Sequence, residues 1–96
     1  MRTFRLVILE SPYFSPDPKT VKENLAYARA CVLDCLQRGE APFASHLLYT
    51  QAGIFDDRIP QERELGILAG LAWGDVADAT VVYTDRGISS GMRQGI

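Results

Sequence analysis

Three short polar stretches carry the side chains that could bind or convert a small ligand, and each follows an apolar stretch. Residues 10–13 offer a carboxylate, a hydroxyl and a phenol, which are groups that hydrogen-bond sugars and base edges. Residues 45–49 add the single histidine, His46, together with Tyr49. Residues 84–92 combine Asp85 with a Gly- and Ser-containing turn into a helix, where free backbone N–H groups favour an anion such as phosphate. These residue types indicate a site for a small polar ligand.

The apolar pattern predicts a strand before each polar stretch. The run of large apolar residues from Phe4 to Leu9 lacks clean alternation, which is typical of a strand covered on both faces. Residues 41–44 and 79–83 are shorter strand candidates. Open α/β sheets place ligands past the carboxyl ends of their strands, so the three polar stretches are expected at one edge of the sheet. Each assignment to a ligand site has an alternative. The alternative for Pro12 is an ordinary turn after a buried strand. The alternative for His46 is a structural role, in which the side chain forms hydrogen bonds within the fold.

A first helix is predicted after a loop that spans residues 14–18. Thr20 and Glu23 fit a capping box, and apolar residues at spacings of three and four continue to a stop at Arg38 and Gly39. Two prolines in the preceding loop argue against an earlier helix start. Residues 45–49 are expected as a loop that leaves the second strand.

A second helix is predicted from Pro60 to Gly74, after a polar segment over residues 51–59 that is expected to be a mobile loop or subunit contact. Leu65 and Leu68 lie at core-facing helical spacing. A second apolar stripe that includes Trp73 predicts a dimer surface. The alternation of strands and helices predicts one α/β domain over residues 1–96, with a short parallel sheet in the order 2-1-3 and helices on both faces.

Composition excludes several classes of protein. The chain of 96 residues is 47% apolar and 23% charged, which argues against disorder and a membrane span. A formal charge of −2 argues against general nucleic-acid binding.

Cys31 and Cys35 are expected to be reduced core thiols on one helix face. Because the chain has one histidine, no metal site or cofactor is predicted. Reduced thiols indicate a cytoplasmic setting, and nothing resembles a signal peptide. The small core favours a homodimer or higher homo-oligomer.

Several motifs are spread over nearly the whole chain: residues 10–13, Asn24 with Tyr27, and residues 42–46, 64–73, 77–78 and 87–92. These motifs resemble an uncharacterised, phage-enriched family that is similar to nucleoside 2-deoxyribosyltransferases and nucleotide N-glycosidases. The resemblance implies a flavodoxin-like three-layer fold and a crevice for a nucleoside or nucleotide where dimer subunits meet. The candidate ligand-binding residues are Glu10, Ser11, Pro12, Tyr13, Asn24, Tyr27, His46, Tyr49, Asp85, Gly87, Ile88, Ser89, Ser90, Gly91 and Met92.

The resemblance also identifies a departure from the enzymes. Their last loop ends in a nucleophilic Glu, and the matching position here is Gly95, while the neighbouring Gln94 is a neutral amide that cannot form a glycosyl intermediate. Three functions are therefore open. The first is a nucleotide-binding protein without turnover, such as a phage sponge for a cyclic or ADP-ribose-derived immune signal. The second is an N-glycosidase or deoxyribosyltransferase that uses Glu10, Asp85, or Glu62 or Glu64 from a neighbouring subunit. The third is a structural or interaction module.

Overall fold

The apolar run near the N-terminus forms the central strand of a three-stranded parallel sheet. In the computed structural model, which describes residues 3–96, strand β1 spans Arg5–Glu10 and lies between β2 (Glu40–Phe43) and β3 (Ala79–Val82). Val7 is in register with Pro42 on one side and with Ala79 on the other. Residues 7–9 are buried, as expected for a strand covered on both faces. The predicted parallel sheet in the order 2-1-3 is confirmed.

One face of the sheet is covered by helix α1, which spans Pro18–Gln37. Its residues Cys31 and Cys35 pack against Val7 and Leu9 to form the centre of the core. Both thiols are free and buried, so the prediction of core cysteines is confirmed. Arg38 is the C-cap of the helix, and Gly39 follows with a φ of +78°, a left-handed conformation that glycine adopts without strain.

The predicted start of α1 was wrong. The N-cap is Asp17, whose carboxylate accepts hydrogen bonds from the Lys19 N–H and from the Thr20 hydroxyl, each at 3.1 Å. Pro18 occupies the first helical position, where its missing N–H leaves no bond unmade. Thr20 therefore lies inside the first turn and does not cap the helix with Glu23.

The opposite face is covered by helix α3, Pro60–Gly74, whose predicted bounds are confirmed. Before it lies α2, a single helical turn over Ser45–Leu48, so the prediction of a loop there was wrong. Residues 51–59 contain no helix or strand, and their mobility stays a prediction. The last element is the short helix α4, Ser90–Gly95. Among the helices of residues 3–96, none is both long and apolar enough to cross a bilayer.

The orientation of α3 differs from the prediction. Leu65 and Leu68, expected in the core, are 63% and 56% exposed. The helix instead presents its glycines inward: a Cβ at Gly70 would lie 3.2 Å from the Ser45 side chain, and Gly66 is in contact with the Phe55 ring. Small residues let the helix backbone approach its neighbours closely, so the larger apolar residues are left on the outer surface.

Candidate functional site

A cavity of about 100 Å³ opens at the carboxyl edge of the sheet, where all three strands end. It lies at the predicted position, and its walls come from the segments that follow β1, β2 and β3, together with α3 and the loop before it. The cavity brings together eight of the fifteen predicted ligand-binding residues, which are Glu10, Ser11, Tyr13, His46, Ser89, Ser90, Gly91 and Met92.

Ser11 and His46 form a hydrogen-bonded pair at the base of the cavity. Their Oγ and Nε2 atoms lie 2.7 Å apart, and the Ser11 side chain is 3% exposed. Burial lowers the pKa of His46 to about 4, because a charged imidazolium would lose its hydration. At neutral pH the ring is therefore uncharged, with one nitrogen able to donate and the other to accept a hydrogen bond.

Glu10 ends β1 and places its carboxyl group in the cavity wall. Burial raises the pKa of this carboxyl to about 7, and no described residue offers it a hydrogen bond or an opposite charge. Its carboxyl group lies directly against Gly95, since a Cβ built there would lie 2.5 Å from the Glu10 Cδ. A side chain at position 95 would thus occupy the space that the Glu10 carboxyl fills.

Arg63 completes the cavity from the first turn of α3 and was missed by the sequence analysis. Its guanidinium stacks on Phe14 with 4.7 Å between the Cζ atom and the ring centroid. Asp57 also lines the cavity, and its pKa is raised by burial although the nearby Arg63 opposes that rise. The pattern around Arg63, a helix-opening Pro60 followed by alternating charges, gave no sign that this side chain turns inward.

Three predicted residues lie beside the cavity and do not line it. Asn24 is buried, and its amide donates to the Tyr13 carbonyl at 3.0 Å, so it holds the loop that carries Tyr13. Tyr49 was expected to face the same crevice as Tyr13, but its hydroxyl accepts a hydrogen bond from Trp73 Nε1 at 3.2 Å. Pro12 is half-buried and belongs to the same loop as Tyr13.

Four further predicted residues, Tyr27, Asp85, Gly87 and Ile88, lie outside the cavity lining. The Tyr27 hydroxyl donates a hydrogen bond to Asp85, and Arg86 stacks on the Tyr27 ring at 4.2 Å. Gly87 has a φ of +82°, and Ile88 is 41% exposed. These contacts tie the β3–α4 loop to α1, so Tyr27 and Asp85 position that loop from a distance.

The end of this loop is shaped by a cap. The Ser89 hydroxyl accepts a hydrogen bond from the Met92 N–H at 3.2 Å, which begins the six-residue α4. This cap places Ser90 and Gly91 at the cavity wall. The binding of an anion by the loop stays a prediction. Within residues 3–96, no group of three or more His, Cys, Asp or Glu side chains is arranged to hold a metal ion.

Comparisons with known proteins give a family and no activity. No curated protein and no solved structure matches the chain. One family model matches residues 5–96, nearly the full length. The chain therefore belongs to the family described as a domain of unknown function, DUF7768.

Proposed function

We propose that the protein binds a small nucleoside- or nucleotide-derived ligand in the strand-end cavity and releases it unchanged. The observation that carries this proposal is the convergence of hydrogen-bonding groups from all three strand ends on one concave site. Glu10 and Ser11 suit sugar hydroxyls or base edges, and the Tyr13 ring offers a surface for stacking.

The size of the cavity limits how the ligand would lie. Pockets that enclose a drug-sized molecule measure roughly 300–1,000 Å³, and this one measures about 100 Å³. That volume suits one ring of a nucleoside, with the remainder across the open mouth. A second subunit on the exposed apolar surface of α3, where Leu65 and Leu68 lie, would cover such a ligand further. The homodimer is thus part of the proposal.

The proposal that the ligand is not converted is based on the carboxyl groups that could act as the nucleophile. Gly95 supplies no nucleophile at the position that the resemblance identifies. Glu10 is near, but burial raises its pKa to about 7, which lowers the fraction of the reactive carboxylate form at neutral pH. A protonated carboxyl donates hydrogen bonds well and does not attack an anomeric carbon. Binding without turnover is what a protein that sequesters a signalling nucleotide needs.

The test is recovery of the ligand. Purified protein is incubated with nucleosides, nucleoside monophosphates and cyclic or ADP-ribose-derived nucleotides, binding is measured by calorimetry, and the mixture is heated and separated by chromatography. We expect at least one compound to bind and to be recovered intact. Appearance of free base at an enzymatic rate would contradict the proposal, as would the failure of every compound to bind.

A second candidate function is an N-glycosidase or deoxyribosyltransferase that uses Glu10. The contact of its carboxyl group with Gly95 favours this candidate, because a carboxylate is present in the space next to the missing nucleophile. Asp57 is a second acidic group in the same cavity, as the chemistry requires. The other carboxylates fit less well, since Asp85 bonds Tyr27 and Glu62 accepts the Asp56 N–H at 3.1 Å.

Paired variants separate the two functions. If Glu10 is catalytic, Glu10→Gln abolishes the release of base, while Glu23→Gln, which removes the same charge from an exposed site on α1, leaves it intact. If the protein only binds, neither variant changes the absence of product, and Glu10→Gln changes the affinity alone.

A further inference from the structure

We infer that α4 is a pH-operated strap, which a neutral Glu10 carboxyl holds over the strand-end cavity and which the ionised carboxyl releases. The movement of the strap is a property of the chain and needs no ligand. Its consequence, that the ligand site opens as the pH rises above neutral, rests on the proposed function.

The first support is the contact between Glu10 and the C-terminal end of α4. Gly95 is the last residue of that helix, and a Cβ built on it would lie 2.8 Å from Oε1 of Glu10 and 2.5 Å from Cδ. The carboxyl group therefore packs directly on the Gly95 backbone. The carbonyl groups at the C-terminal end of a helix carry partial negative charge. A neutral carboxyl can donate a hydrogen bond to such a carbonyl, whereas a carboxylate is repelled by it.

The second support is the lack of a positive charge that would hold an ionised Glu10 in place. Within residues 3–96, no hydrogen bond or ion pair links the Glu10 carboxyl to a titratable side chain of the surrounding elements. Burial raises the pKa of Glu10 to about 7, so its charge changes in the neutral range. The surrounding titratable residues are Tyr13, His46, Asp57 and Arg63 in the cavity walls, Tyr83 after β3 and Arg93 on α4.

None of these neighbours supplies the missing cation. His46 is uncharged at neutral pH, because burial lowers its pKa to about 4. The Arg63 guanidinium stacks on Phe14, and the Tyr83 hydroxyl lies 2.7 Å from the Asp34 carboxylate. Arg93 is exposed on the outer side of α4. An ionised Glu10 would therefore gain most by reaching water, which requires α4 to move.

The third support is the light attachment of α4. Of its six residues, all of which the structure describes, Met92 alone is buried, and it lies outside the core cluster beneath α1. A cavity of about 40 Å³ lies beside Glu10, where the sheet, α3 and Gly95 meet, so the packing there is loose. The strap can thus separate while the core stays intact. Because Ser90 and Gly91 line the strand-end cavity, its separation removes one wall of that cavity.

The experiment uses Met92 as the probe, since its side chain is 2% exposed when α4 is in place. The protein without ligand is treated with hydrogen peroxide between pH 5 and pH 8, and formation of the Met92 sulfoxide is followed by peptide mass spectrometry. Each rate is divided by that of the urea-unfolded chain at the same pH. Hydrogen exchange of the β1 amides, corrected for the intrinsic rate, reports whether the core opens as well.

We expect the relative rate to rise with pH. Release returns the pKa of Glu10 from about 7 to its ordinary 4.5, so the open fraction should grow about 10- to 70-fold from pH 5 to pH 8, the lower figure allowing for solvent screening. Glu10→Gln should keep a low, constant rate. Asp57→Asn, which neutralises the other carboxylate of the cavity, and Glu23→Gln on the exposed side of α1 are controls that should follow the wild type.

A second variant keeps the test available should Glu10→Gln fail to fold, as judged by circular dichroism. Gly95→Ala moves the Glu10 carboxyl toward solvent, where its pKa is the same with α4 in place or released, so this variant should also show no dependence on pH.

Three results would overturn the inference. A constant wild-type rate would show that Glu10 ionises without moving α4. A pH dependence that survives in Glu10→Gln, or disappears in Asp57→Asn, would assign the effect to another group. Loss of β1 protection in step with Met92 oxidation would show that the whole chain opens. The proposed function is tested separately, because none of these measurements contains a ligand.

Discussion

Glu10 and His46 should give folding stability opposite pH dependences over nearly the same range. Burial raises the pKa of Glu10 from 4.5 to about 7 and lowers that of His46 from 6.5 to about 4. The folded state holds the Glu10 proton more tightly than the unfolded state, so this contribution is full below pH 4.5 and is lost as the pH rises through 7. The contribution of neutral His46 is full above pH 6.5 and is lost as the pH falls through 4.

Either change in pKa corresponds to about 3 kcal/mol of unfolding free energy, at about 1.4 kcal/mol for each unit. Glu10 is only half-buried, and solvent screening reduces its part to about 2 kcal/mol. In the wild type the two contributions largely cancel. Glu10→Gln should expose the His46 dependence, so that stability falls on acidification from pH 7 to 4. His46→Gln should expose the opposite dependence, with stability falling from pH 4.5 to 7.

The assay is urea unfolding followed by circular dichroism at closely spaced pH values. Slopes against pH are compared, because loss of either side chain also changes the baseline stability. Glu23→Gln, an exposed carboxylate on α1, is the control and should follow the wild type. The reasoning is refuted if the profile of Glu10→Gln runs parallel to the wild-type profile, because Glu10 would then have the same pKa folded and unfolded.

Four further predictions follow from the glycines and from α3. Gly95→Ala should displace the Glu10 carboxyl toward solvent, weakening ligand binding in calorimetry while changing the unfolding free energy by less than about 1 kcal/mol, since the clashing group ends a flexible side chain. Gly66→Ala should cost about 1–3 kcal/mol in urea unfolding, because a Cβ there would lie 2.6 Å from Phe55 Cε2. Gly74→Ala meets open space and should gain up to about 1 kcal/mol, and the reverse order of these two variants would contradict the packing described. Leu68→Arg should turn a dimer into a monomer in light scattering, whereas a wild-type monomer at micromolar concentration would refute the dimer surface.

The sequence predicted the sheet well because the signals there are local and dense. Residues 6–9 are all large and apolar, and Pro60 and Gly74 mark the ends of α3. The start of α1 was missed because Asp17 with Pro18 and Thr20 with Glu23 are both acceptable starts, and the Asp17 carboxylate makes the capping hydrogen bonds in the structure.

The candidate site was predicted in part for a related reason. The strand ends bring Glu10, Ser11 and His46 together by topology, which the order of elements determines. Arg63 enters the cavity because α3 turns its glycines toward the neighbouring elements. The sequence did not predict this orientation of α3, because leucines usually face the core, whereas Leu65 and Leu68 are exposed here. Tyr27 and Asp85 were predicted to lie near the strand-end loops. Their hydrogen bond to each other was not predicted, because the two residues are 58 positions apart in the sequence and no local pattern indicates the contact.

The two buried thiols can report when helix α1 separates from the sheet. Cys31 and Cys35 lie on the side of α1 that faces the sheet, and they are 3% and 0% exposed. Helix α1 covers the face of the sheet opposite to α3, and the Tyr83 hydroxyl lies 3.3 Å from the Cys35 sulfur. A thiol reagent can reach either sulfur only when α1 separates from the strands, so the labelling rate measures that separation. Variants on the ligand side can thus be checked for the integrity of the opposite layer, by mass spectrometry and without any introduced probe.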